Sequence, residues 1–322
     1  MKRIVILGAV VALVAAAWSA GWLWGASEIT AFAKRLETAD GNSMPNLKCG
    51  TFAVTGYPFG FDVSCSEAIV AYQDTTVTAA GFKASAEVYN PFFVIASAKS
   101  PVTIADAFTG SQSRVDFDSA AVSARLDGWR IGRVSAVLEK PVWTDTVVED
   151  QMIAKADHVE AHLIDEPEKH DSKAGLASLA EFVRVDNANA PGFTIMAGKL
   201  VAEGEVTNLS DDVRTYGDPD LLRRWQQAGG LFTLRSLDGT DGDRYVKSSG
   251  ALSLDSQGRL QGQIKVLSRG AMEALSPRIP EMYRGLVVGT PAADGSYSKT
   301  ISIVGGALLV GIVPAGFIPP LF

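Results

Sequence analysis

The sequence has little of the material from which most recognisable sites are built. Its 322 residues include two cysteines and three histidines, too few for a disulfide-dense scaffold, and a chain of this length needs no metal or disulfide staples to fold. Charged residues make up 20% of the chain, and 29 basic against 36 acidic side chains leave a formal net charge of −7. With no long basic run, such a field repels phosphate and argues against a nucleic-acid partner. A GxGxxG loop after a strand, GxxxxGK[ST], GxSxG, HExxH and CxxC are all missing, which removes the local signatures of dinucleotide, nucleotide, acyl-transfer, zinc and redox chemistry. The reading is therefore non-enzymatic, with no catalytic residue, metal or cofactor assigned. Disorder is excluded in turn, because 47% of the chain is apolar.

What is present begins at the N-terminus. After Lys2 and Arg3, the run Ile4 to Ala26 contains no charged side chain; as a helix it would rise about 35 Å, enough to cross the hydrocarbon of a bilayer. The basic pair stays on the cytoplasmic side by the positive-inside bias, which exports everything after Glu28. Trp18, Trp22 and Trp24 stand near the outer end, where indoles favour the interface. A cleaved signal peptide shares this signature. However, cutting after Ala20 or Ala26 would leave Trp18 or Trp24 three positions back, so a retained anchor is preferred. The expected location is a bacterial inner membrane, crossed once, with the N-terminus cytoplasmic and the main domain periplasmic. The apolar stretch Ile301 to Phe322 is no second span, since Gly305, Gly306, Gly311, Pro314, Gly316, Pro319 and Pro320 interrupt it. The expected division is an anchor over 1–27, a juxtamembrane helix and linker over 28–44, and an exported domain over 45–322.

Export makes the cysteines informative. Cys49 and Cys65 flank the turn-like GYPFG, and their midpoint is Tyr57. If Leu47 to Thr55 and Phe61 to Ile69 pair as a hairpin, the two thiols face one another. A structural disulfide is preferred over two buried free thiols, and closing that loop would contribute about 3 kcal/mol.

Beyond Pro45 the pattern has a period near two. Phe61–Cys65, Val70–Ala80, Gly81–Tyr89, Phe92–Ala98, Val115–Leu126, Ile131–Leu138, Ala156–Ile164, Phe193–Leu200 and Leu200–Leu209 read as strands, followed by 231–237, Tyr245–Leu254 and Leu260–Leu267. Helices are expected at Glu28–Asp40, Ala174–Phe182, Asp218–Ala228 and about Gly270–Ile279. Regular βαβ crossovers are missing. The fold class is mainly β: a long curved antiparallel sheet with a few packed helices, after one N-terminal transmembrane helix. The polar interval at 165–190 either divides two subdomains or crosses one face.

TGYPFGFDVSC at 55–65, the hairpin GGLFTLRSL…GALSLDSQGRLQGQIKV over 229–266 and the FIPPLF ending at 317–322 resemble the DUF2125 proteins of alphaproteobacteria across nearly all of the exported part. That resemblance implies no activity and transfers no catalytic residues. More distantly, the anchor and hairpins are similar to the periplasmic part of AsmA-like proteins, which implies a curved sheet that handles lipids.

Three clusters remain. His158 and His162, with Asp157, Glu160, Asp165, Glu166 and His170 nearby, offer nitrogen and oxygen donors for a metal, but a solvated strand face opposite Val159, Ala161 and Leu163 is the preferred reading. Asp238, Asp241 and Asp243 of DGTDGD lack the EF-hand spacing and read as a hairpin turn. In TGYPFG, Tyr57, Phe59 and Phe61 either cover a core or form one lip of an apolar groove, to which Phe92, Phe93, Phe317 and Phe322 are assigned as well. The functional expectation is a membrane-anchored protein binding or carrying phospholipid or another envelope lipid in a β-sheet groove. The alternative is a non-catalytic envelope scaffold with envelope protein partners.

Overall fold

The computed structural model describes residues 2–270, 291–311 and 313–322. Its first element is α1 (Lys2–Glu37), one unbroken helix where an anchor and a separate juxtamembrane helix were expected. The physical reason is local, because neither proline nor glycine occurs between Ala26 and Glu37. The helix stops where Asp40 accepts the backbone N–H groups of Asn42 and Ser43 at 2.9 and 3.0 Å. There the Asn46 amide donates to the carbonyls of Glu37 and Ala39 at 2.8 and 2.9 Å, satisfying acceptors that a helix end leaves open.

The rest is large antiparallel β-sheet, as expected, divided between two compact units: Met1–Ser123 with Trp143–Gln151, and Ala124–Val142 with Met152–Phe322. The polar interval 165–190 lies inside the second unit.

In the first unit, β1 (Asn46–Lys48) and β2 (Thr51–Thr55) both pair with β3 (Gly60–Tyr72). A meander then continues through β4 (Thr75–Glu87), β5 (Asn90–Asp106) and β6 (Gln112–Asp116); most of β7 (Ser119–Asp127) and of β9 (Val142–Asp145) also belongs to this unit. The expected break between residues 80 and 81 falls within β4; the chain reverses instead at Gln73–Asp74 and at residues 88–89. Gln73 takes a positive φ of 52°, so this reversal uses no glycine or proline and leaves no punctuation in the sequence. Cys49 and Cys65 form the expected disulfide, with Cα atoms 5.4 Å apart. The hairpin register differs from a turn centred on Tyr57, since Phe52 stands opposite Cys65 and Thr55 opposite Asp62. Cys49 lies between β1 and β2, opposite an irregular stretch of β3 where Glu67 has a φ of 50°.

In the second unit, β8 (Arg130–Glu139) pairs with β11 (His158–Asp165). The order then runs through β12 (Leu176–Ala190), β13 (Ile195–Ser210), β14 (Leu231–Asp241), β15 (Arg244–Leu254) and β16 (Leu260–Arg269). It ends with β17 (Tyr297–Val304), β18 (Ala307–Val310) and β19 (Val313–Phe317); β10 (Gln151–Lys155) touches β12 through Lys155 and Asn189. The helix expected over Ala174–Phe182 is instead the start of β12. LASLAEF is permissive of helix, but pairing on both sides and burial of Ala177, Ser178 and Leu179 decide for strand. The helix expected over Asp218–Ala228 is present as α2 (Leu221–Gln227), where Trp225 donates its indole N–H to Thr207 O at 2.7 Å. The one expected at Gly270–Ile279 lies, past Gly270, outside the described residues.

Candidate functional site: the apolar sheet face of the second unit

Partners directly opposite in a ladder share a face, so the register sorts the side chains of the second unit. One row runs Leu138, Val159, Val185, Leu200, Gly239 and Val246. Beside it run Ala136, Ala161, Val183, Ala202 and Leu237, and further along the strands Gly204, Leu234, Gly250, Ile264, Ile301 and Val310. From β8 to β18 this face is mainly aliphatic, with Ser248 between Leu237 and Val266, Ser268 opposite Val246, and Lys299 opposite Val266 as its polar members toward β17. A sheet with one apolar face ordinarily buries it against a second layer, yet here the aliphatic side chains are mostly half-buried, with Val310 the buried one of those named. Glycines along the face let strands approach closely: a Cβ on Gly250 would fall 2.1 Å from Gln263 O.

At the end of β12 to β15 the face opens into a cavity of about 350 Å³, lined by Val185, Phe193, Ile195, Leu200 and Val246. That is within the range of small-molecule sites, about 300–1,000 Å³. Its rim is polar. Arg244 pairs with Asp241 and donates to Thr194 O at 2.6 Å, while Asp241 accepts the N–H of Ala197 at 3.0 Å.

Besides Asp241 at the rim, two acidic residues stand on this face, Asp165, which pairs with His170 and Arg130, and Glu181. Glu181 stands between Leu163 and Gly204, and its burial there raises its pKa above the ordinary glutamate value. No ion pair or hydrogen bond holds it among the described residues. On the opposite face Glu205 is buried between Lys169 and Arg235 at 2.6 and 2.7 Å, and both cations also reach Glu166. The Lys169 ammonium, then Arg235, pull the Glu205 carboxyl below the usual carboxylate value.

The histidines sit among carboxylates. His158 pairs with Glu139 at 2.9 Å, which raises its pKa, and His162 reaches Glu160 at 3.3 Å while stacking on Phe182. His170 pairs with Asp165. Among the described residues no group of three or more histidines, cysteines or carboxylates is arranged to hold a metal. In DGTDGD, Asp238 pairs with Lys247 at 2.8 Å, Asp241 closes the cavity rim, and the backbone carbonyl of Asp243 accepts from Arg269 at 3.0 Å.

The aromatic groove candidates divide between the units. In the first, Tyr57, Phe59 and Phe61 gather at the tip between β2 and β3, against α1: Phe61 stacks on Trp22 with centroids 5.5 Å apart, and Tyr57 meets the same indole edge-on. Phe92 and Phe93 open β5, whose preceding turn bonds the tip through Val88 N–H to Phe59 O at 2.9 Å. In the second unit, Phe317 lies over Gly306, and Phe322 lies against Gly258 beneath the Arg223 guanidinium. The C-terminal tail is fastened there by Leu321 N–H to Gly258 O at 2.9 Å. None of these seven lines the cavity. Its aliphatic lining was visible in the sequence as alternation, but alternation alone says nothing about which face stays uncovered.

A helix long and apolar enough to cross a membrane, joined to a largely antiparallel β body with an internal disulfide, is compatible with a membrane-anchored β-protein. Residues 22–319 match the family described as "Uncharacterized protein conserved in bacteria (DUF2125)", and the chain belongs to that family. None of the curated proteins compared with it matches.

Proposed function

We propose that this protein is anchored in the bacterial inner membrane by α1, with its N-terminus cytoplasmic and its body in the periplasm, and that it binds or carries a lipid or similar hydrophobic ligand on the apolar face of its second unit. The observation that carries this reading is the largely aliphatic face from β8 to β18, incompletely buried and opening into an apolar cavity. Exposed apolar surface of this extent is costly in water and marks an interaction site; acyl chains are a fitting cover, at about 0.8 kcal/mol per buried CH₂. The disulfide supports an oxidising compartment, and the basic pair Lys2 and Arg3 supports the stated orientation. The role is binding rather than catalysis.

The test is photocrosslinking of the full-length protein in its native membrane with a phospholipid carrying a diazirine in its acyl chain, followed by peptide mapping. Crosslinks in β12 to β16 support the carrier. Crosslinks confined to α1 and the β2–β3 tip would show only membrane contact, and would leave a non-catalytic envelope scaffold, with protein partners, as the better account.

A further inference from the structure

The β2–β3 hairpin lies along the outer half of α1, and the contacts at its tip are specific. Trp18 donates its indole N–H to Pro58 O at 2.9 Å, and Trp22 donates to Gly60 O at 2.7 Å. Ser19 Oγ and Tyr57 OH are hydrogen-bonded at 2.8 Å. Phe61 reaches the helix at Gly25, where a Cβ would stand 2.7 Å from its ring. At the far end of the hairpin, Asn46 holds the C-terminal carbonyls of the same helix.

The level of these contacts is the informative point. The apolar run ends at Ala26, ahead of Ser27 and Glu28, so Trp22 and Trp18 lie about 6 and 12 Å inside its outer end. Hydrocarbon about 30 Å thick, counted from Ile4, extends to about residue 24. If α1 spans the membrane, as proposed above, a tip bonded to Trp18 and Trp22 cannot stand clear of the bilayer.

Its chemistry suits that depth. Residues 55–61 carry no charge, and Phe59 and Tyr57 are 64% and 55% exposed in the protein alone. Peptide groups that enter a membrane need partners from the protein, because water is not there to supply them. Gly56 O accepts from the N–H groups of Phe59 and Gly60 at 3.2 and 2.9 Å, and Phe59 O accepts from Val88. The carbonyls of Pro58 and Gly60 take the two indoles, and Pro58 has no N–H. Gly56 permits the tight closure with a φ of 99°; a Cβ there would fall 2.8 Å from Gly60 O. Tryptophan N–H groups at a membrane surface ordinarily face water, whereas these two are turned onto a neighbouring backbone.

We infer that the 56–60 tip is submerged in the outer leaflet beside α1, a second membrane contact whose partner is the phospholipid bilayer itself. Helix and hairpin then enter the membrane as one rigid pair, which fixes the rotation of α1 relative to the first unit.

The full-length protein in phosphatidylethanolamine–phosphatidylglycerol vesicles tests this, with the native disulfide intact and a small environment-sensitive fluorophore on Phe59→Cys, Leu13→Cys or Phe108→Cys. Leu13 lies in the middle of the apolar run, and Phe108 is exposed in the turn at the opposite end of β5. The expected result is that positions 59 and 13 are quenched by acyl-chain spin labels and shielded from aqueous iodide, while position 108 shows the reverse. Position 59 behaving like 108, with 13 still lipid-quenched, overturns the submerged tip and leaves the anchor standing. Iodide access at position 13 overturns the anchor and the tip together. The unsubstituted chain gives an independent readout: the diazirine phospholipid should label residues 56–60, and labelling of α1 without the tip counts against the inference.

Discussion

The two units place apolar surface in different ways. In the first, aromatic side chains gather at one end of a hairpin and find their partner in the chain's own helix, with Trp22 between Tyr57 and Phe61. In the second, a mainly aliphatic face extends across the strands from β8 to β18 and is only partly buried, while the ion pairs of Glu205, Lys169 and Arg235 occupy the other side. The contrast separates two uses of hydrophobicity. Aromatic rings with polar edges suit a boundary, where indole and phenol groups can bond backbone and side chain at once. A mainly aliphatic face suits a ligand recognised by its lack of polarity.

The largest expected effect concerns that aliphatic face. Leu200→Lys places an ammonium beside the cavity, where the stem can lie along the sheet and the charge can reach the rim. Phospholipid crosslinks in β12 to β16 should be lost while those in α1 persist; hydrogen exchange across β13 checks that the strand still forms. Undiminished crosslinking of the second unit would show that the face is not the lipid site, and would erase the contrast between the units.

Next in size is the disulfide of the first unit. Cys65 is buried, and Cys65→Ser opens a loop whose closure is worth about 3 kcal/mol. Faster amide exchange in β1 to β3 is the expected result, with β12 to β16 little changed. Equal loss of protection in both units would mean that they unfold as one cooperative body.

A smaller effect belongs to the ion network of the second unit. Glu205 is buried, but Lys169 and Arg235 are partly exposed, so solvent screens much of the attraction and Glu205→Gln should cost about 1 kcal/mol. The folded carboxyl titrates below its ordinary value of 4.5. Its contribution is therefore complete above pH 4.5 and disappears as the pH falls through the lowered value. Melting temperatures of the native protein and the variant should differ at pH 7 and converge in acid; a constant gap would show that shape, not charge, sets the difference.

The fold class was legible because alternation is a local property: Val159, Ala161 and Leu163 share one face of β11 and His158, Glu160 and His162 the other, although the polar set is part-buried among its carboxylate and aromatic partners and not a solvated face. The cysteine pairing was legible for a similar reason, although its register was not, since the irregular stretch at Glu67 depends on contacts between strands. The first half of β12 was misread as helix because LASLAEF has no strong strand preference and takes its form from β11 and β13. The tip aromatics stood out in the sequence, but their partner did not. Nothing in GYPFG names Trp18 and Trp22 as donors some forty residues upstream. Uncovered surface is equally invisible in sequence, because it depends on what the rest of the chain fails to reach.

The smallest effect has the opposite sign. Glu181 lies on the apolar face between Leu163 and Gly204, and burial raises its folded pKa above 4.5. A carboxyl shifted upward is favoured in its neutral form, so its contribution is complete below pH 4.5 and is lost as the pH rises through the folded value. Glu181→Gln keeps the side-chain outline without the charge and should raise the melting temperature at pH 7, with the gain vanishing below pH 4.5. The measurement is a pair of melting curves across that range on protein freed of lipid by exchange into detergent. A gain independent of pH would trace to packing. A variant less stable at neutral pH would mean that the carboxylate has a polar partner on this face, and that the second unit, like the first, places polar contacts within its apolar surface.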